Sequence, residues 1–124
     1  MTSGTNIEQR MAHAMQLHST GQLQEAAAAY AAILADDGSQ TNAQHNLGMV
    51  RLGLGETAEA LILLERAMVV DGANPGWAQS IPVIAMTLFR QGHWEVAQSW
   101  LHRAVMMGNT DPELHAAYSR ARPR

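Results

Sequence analysis

The chain contains no cysteine, which removes disulfides, thiolate nucleophiles and thiolate metal sites together and leaves the redox compartment open. Aromatic residues make up only 5% of the 124 positions, so the apolar content comes from alanine and leucine, residues that favour helices and close helix contacts over sheet. Charged residues are also sparse, at 15%, and the net charge is −3 with the basic residues scattered. No basic stripe exists to neutralise phosphates, so nucleic acid is not an expected partner.

Long hydrophobic runs are missing as well. No apolar stretch is long enough to cross a bilayer, and the opening Met1, Thr2, Ser3, Gly4, Thr5 and Asn6 lack the basic-then-apolar build of a leader. The expectation is a soluble cytoplasmic protein without membrane insertion. Nor does the chain carry a nucleophile motif, a glycine-rich phosphate loop or a carboxylate pair of defined spacing. Catalysis is therefore not expected, and no cofactor is implied. Six histidines are present (His13, His18, His45, His93, His102 and His115), but none are paired four residues apart beside a carboxylate, as a helical metal site requires. No metal is expected.

What the chain does have is internal repetition. Sliding it along itself by 34 residues places Gly21 on Gly55, Ala14 on Gly48, Glu25 on Glu59, Ala26 on Ala60, Tyr30 on Leu64 and Leu34 on Met68. A further shift of 37 carries Gly55 to Gly92, Gly48 to Ala85, Ala60 to Ala97, Leu64 to Leu101 and Ala67 to Ala104. Small residues stay small and bulky ones stay bulky. The third unit carries about three extra residues, expected between Asn74 and Ile84, where Pro75, Gly76 and Pro82 mark an irregular entry into the next helix.

Each unit reads as two helices with apolar residues at three- and four-residue spacings. In the second unit the stripes are Ala43, Leu47, Val50 and Leu54, then Ala60, Leu61, Leu64, Ala67 and Met68. Gly21, Gly55 and Gly92 are expected to close the first helices in the left-handed conformation, and Gly38 and Gly72 to do the same for the second ones. The small residues in register are expected where two helices cross closely. Thr110, Asp111, Pro112 and Glu113 form a strong helix start, followed by an apolar face of Leu114, Ala117, Tyr118 and Ala121.

The series of a small residue at Gly48, glycine at Gly55, alanine at Ala60, a bulky residue at Leu64 and alanine at Ala67 resembles the tetratricopeptide repeat. The resemblance covers units of about 7–40, 41–74 and 75–111. It departs from the family at the early tryptophan, replaced by Arg10, Gln44 and Ile81, and at the closing proline, replaced by Gly38, Gly72 and Asn109. The fold it implies is all-α, a right-handed α-solenoid of three helix pairs forming a single domain over 1–124. A helix over about 111–121 caps the last pair or, in the alternative, opens a fourth repeat of a longer chain.

Function in that family lies on a concave surface lined by the first helix of each pair. Carried over position by position, the first unit supplies Glu8, Met11, Met15, His18 and Ser19, and the second Asn42, His45, Asn46, Met49 and Leu52. The third supplies Gln79, Pro82, Val83, Met86, Phe89 and Arg90. Four of the eight methionines fall on this face, giving an adaptable apolar groove suited to a peptide or helix of a partner protein. His18 and His45 are placed to make such binding pH-sensitive. Chaperone-binding members grip a C-terminal carboxylate with lysine, arginine and asparagine. Here Asn46 alone matches, and Met11, Met15, Gln79 and Val83 hold the other positions, so an acidic tail is not the expected ligand. The expected role is an adaptor or chaperone-like protein-binding module. The alternative is a scaffold that self-assembles into a homo-oligomer, with a terminal segment or the Trp77 region docking on a second copy.

Overall fold

A computed structural model describes residues 3–121; Met1, Thr2 and residues 122–124 lie outside the described residues. The described chain is all-helical, running α1 (Ser3–Ser19), α2 (Leu23–Asp36), α3 (Thr41–Gly53), α4 (Thr57–Asp71), α5 (Trp77–Arg90), α6 (Trp94–Met106) and α7 (Pro112–Ala121). It divides into two compact units, Met1–Gly72 and Ala73–Arg124.

In the first unit α1 packs on α2, α2 on α3 and α3 on α4. Of the expected stripes, Ala43, Val50, Ala60 and Leu64 are fully buried, with Leu47 and Ala67 nearly so, while Leu54, Leu61 and Met68 stay half-buried at the edge; Ala14, Ala26, Tyr30 and Ile33 are also fully buried. Gly48 marks a tight crossing. A Cβ at Gly48 would lie 2.7 Å from Leu64 Cγ and 3.2 Å from the Ala60 carbonyl oxygen, so the α3–α4 approach leaves no room for even a methyl group. An ion pair between Arg10 and Asp36 ties α1 to the end of α2. Gln44, at another vacated tryptophan position, donates to the Gly38 carbonyl at 2.9 Å and fastens α3 to the preceding turn.

In the second unit α5 packs on α6, and α7 packs on both. Ile84, Ala85, Leu88, Ala97, Leu101 and Ala104 are fully buried. The α7 face predicted from the sequence is inside at Leu114, Ala117 and Ala121. Its start is built as expected, with the Asp111 carboxylate accepting from the Glu113 N–H at 3.0 Å. That bond satisfies one of the free amides of the first turn.

The repeat is clearest in the turns between paired helices. Gly21, Gly55 and Gly92 have φ of 82°, 83° and 86°. Each is followed by a residue whose N–H reaches five residues back: Gln22 to Leu17, Glu56 to Arg51 and His93 to Leu88, at 2.9, 2.9 and 3.0 Å. This is the six-to-one closure that a left-handed glycine permits.

Gly38 and Gly72 behave otherwise than expected. Neither has a positive φ. Asp37 ends α2 in an extended conformation, and its carboxylate accepts from the Ser39 N–H, the Ser39 hydroxyl and the Gln40 amide. These bonds, the Ser39 hydroxyl first, hold the Asp37 pKa below its ordinary value and close the turn without left-handed backbone. Gly72 stays right-handed, with φ −66°. The left-handed turn that ends α6 is made by Gly108, φ 89°, one residue before the Asn109 at which the sequence places the close.

The three extra residues are also distributed rather than inserted together. α4 has 15 residues against 14 in α2, the connection 72–76 is one longer than 37–40, and α5 has 14 against 13 in α3. Pro82 sits inside α5, where it has no N–H to give the Ala78 carbonyl four residues back. The helix continues through it.

Candidate functional site

In the first unit, Met15, His18 and Ser19 on the last turns of α1, Asn46 in α3 and Tyr30 of α2 line a cleft of about 350 Å³. The amphipathic periods of α1 and α3 produce this arrangement. Ala14 and Leu47 turn inward, which leaves their neighbours Met15 and Asn46 on the open side. Met15 is 55% exposed, the largest apolar surface in the lining.

Tyr30 is fully buried, and its hydroxyl has no hydrogen-bond partner. Burial raises its pKa, because the phenolate would lose its hydration without an opposite charge in return. The Asn46 side chain lies near enough to pull that pKa part of the way back, although no hydrogen bond of ordinary geometry reaches the phenol oxygen. Asn46 acts on its neighbour as well. His45 is half-buried, and desolvation lowers its pKa while an Asn46 hydrogen bond opposes the shift. The neutral imidazole is thereby favoured.

The structure thus gathers Met15, His18 and Asn46 of the expected groove. Met11 instead packs partly buried against the core of the first pair, Asn42 is exposed and Met49 half-buried. Leu52 requires correction: it is 0% exposed and lines neither this cleft nor the one in the second unit, so it belongs to the interior.

In the second unit, Pro82, Val83, Met86, Thr87 and Arg90 of α5 face Asp111 and Leu114 at the start of α7 across a smaller cleft of about 210 Å³. Val83 is 52% exposed, whereas Met86 borders the same cleft but shows only 9% of its surface, the rest being packed inside. Gln79 is exposed and lies outside this cleft. The expected contacts Phe89 and Arg90 are engaged by the protein itself. Arg90 pairs with Glu113 at 3.0 Å, and the Arg120 guanidinium lies 5.9 Å from the Phe89 ring. Phe89 also stacks on Trp94 at 5.4 Å, whose indole donates to the Phe89 carbonyl. Trp94 is therefore a surface residue, 47% exposed, whereas Trp77 and Trp100 are buried as core.

Sequence reasoning passed over Tyr30 as a site residue because its column holds Leu64 and Leu101, which made it look like plain bulk. The hydroxyl was the available signal: one member of a bulky apolar column carries a polar atom that packing does not require.

No family model matches the chain, and no match is found among the curated proteins. Among the described residues no helix is long and apolar enough to cross a membrane.

Proposed function

We propose that this chain is a protein-interaction module of the tetratricopeptide kind, adaptor or chaperone-like, that holds a peptide or helix of a partner protein against its leading helices. The observation that carries this reading is the cleft of the first unit. Met15 and His18 of the first repeat and Asn46 of the second line one depression together with Tyr30 of the trailing helix. The stacking of successive pairs into a right-handed solenoid is the finer part of the same reading, and the recurring turns at Gly21, Gly55 and Gly92 support it. Enclosure is slight, and the lining combines apolar surface with the polar groups of His18, Ser19 and Asn46, which suits a peptide better than a reacting small molecule.

Magnitudes set the expected strength. Covering a methionine contributes roughly 1.5–3 kcal/mol, while association costs about 4–15 kcal/mol. With Leu52 in the interior and Met86 only 9% exposed, few large apolar contacts remain, so micromolar affinity is the expectation. Selection of a displayed random-peptide library on the purified protein tests this. Enriched peptides should lose about tenfold or more in affinity to Met15→Glu or Val83→Glu variants, with helicity unchanged. A selection that enriches nothing, or peptides indifferent to both variants, removes the reading.

Self-assembly remains as a second reading, for a different reason from the one first expected. Trp77 is buried and not free to dock, but Ile62, Val69 and Val70 of α4 are exposed by 52%, 85% and 71%. Light scattering over a dilution series decides it, since a monomer at every concentration excludes it.

A further inference from the structure

A fully buried phenol without a hydrogen-bond partner is uncommon, because the oxygen gives up its hydration and receives nothing in return. Packing does not account for the oxygen of Tyr30. Its counterparts Leu64 and Leu101 fill the same position, fully buried, with no polar atom. The oxygen is therefore surplus to the fold, and it sits on the residue that floors the cleft lined by Met15, His18, Ser19 and Asn46. The chemistry of the lining narrows what could satisfy it. No arginine is present to hold a carboxylate, and no aspartate or glutamate to hold an ammonium; His18 is the one lining side chain that can carry a positive charge, and a carboxylate paired with it would show as binding of acetate. Phenol, carboxamide and hydroxyl groups donate and accept without net charge. A pure hydrocarbon would leave the oxygen as it is.

We propose that this cleft binds a neutral amide group, whose carbonyl oxygen accepts from the Tyr30 hydroxyl while the Asn46 carboxamide pairs with the rest of the amide. This deepens the peptide-binding reading and rests on it. Burial keeps the phenol protonated, and hence a donor, across the neutral range. The oxygen is closed to solvent, so the lining must give for a ligand to reach it. Met15 is suited to that role, being half exposed and unbranched, with rotamers that exchange at little cost.

The chain has two tyrosines, Tyr30 and Tyr118, so 3-fluorotyrosine labelling gives two fluorine resonances that a Tyr118→Phe variant assigns. The full chain is titrated with N-methylacetamide, which mimics the peptide backbone, with propionamide, which mimics an Asn or Gln side chain, and with acetate. The proposal expects a saturable shift of the Tyr30 resonance with at least one amide and a still Tyr118 resonance. Asn46→Ala should weaken that response about fivefold, the equivalent of one ordinary hydrogen bond. The stronger amide identifies the source of the group. No saturable shift, which is the result if water alone occupies the cleft, overturns the proposal, as does an equal or greater response to acetate. With peptides from the library selection, the near-isosteric Tyr30→Phe change should cost about fivefold in affinity. Peptides that depend on Met15 but bind Tyr30→Phe unchanged would defeat the amide site and leave the peptide-binding function standing.

Discussion

The first hairpin of the first unit and the hairpin of the second differ in chemistry at one position of the same size. Tyr30 in the first and Leu101 in the second occupy equivalent positions, both fully buried. Around Tyr30 the lining is polar at His18, Ser19 and Asn46, and the phenol is unpaired. In the second unit the cleft is bordered by Val83, Met86 and Leu114, and α7 supplies partners to the α5 residues beside it, Glu113 to Arg90 and Arg120 to Phe89. The difference teaches that a repeat position can be fixed in size while its chemistry stays free. Shape belongs to the fold, and the extra oxygen is available for recognition.

Four measurements break or sharpen that contrast. The largest effect is expected at Leu101→Ala, where truncation of a fully enclosed side chain should cost about 2–5 kcal/mol in urea unfolding. A loss below 1 kcal/mol would show that this position does not carry the core. Next comes Gly48→Ala, which forces a methyl group against Leu64 and should cost about 1–3 kcal/mol. Its control is Gly53→Ala, whose new Cβ would stand 3.6 Å from its nearest neighbour, Leu23 Cδ1; this substitution should gain about 0.5 kcal/mol through helix preference. Equal outcomes at the two glycines would contradict the close crossing of α3 on α4.

Tyr30→Phe should stabilise the protein by about 1 kcal/mol, because it deletes a polar atom that has no partner. A clear destabilisation would mean that the oxygen serves the fold after all and that the contrast with Leu101 is unfounded. The smallest effect concerns His45. Burial sets its folded pKa below the ordinary value near 6.5, so the unfolded chain takes up this proton first as pH falls. The contribution of His45 is whole above pH 6.5 and is lost as pH drops from there through the folded pKa. His45→Gln should flatten the fall in stability between pH 7 and pH 5, and parallel profiles for the two proteins would refute the assignment.

Much of this architecture was legible because the determinants are local and repeated. Gly21, Gly55 and Gly92 announce their turns by their own backbone freedom, and the Ala26, Ala60 and Ala97 column announces a close contact by its size. Gly38 and Gly72 misled because glycine permits left-handed backbone without requiring it, and the Asp37 carboxylate offered the chain another way to end α2. Leu52 misled for a different reason. It lies on a helix with an open side, and a residue at the edge of an apolar stripe faces either way depending on what the tertiary packing sets against it. Tyr30 was hidden by its column, since sequence spacing records volume and says nothing of whether a buried oxygen finds a mate.

The left-handed turn at Gly108 carries a last consequence. It joins α6 to α7 with the same closure found inside the pairs, the Asn109 N–H reaching the Ala104 carbonyl at 3.1 Å, whereas neither α2 nor α4 ends on a left-handed residue. α6 is thus the closing arm of one hairpin and the opening arm of another. Numbering the repeats then has no single answer, and a truncation after residue 107 would cut through a hairpin rather than between two modules.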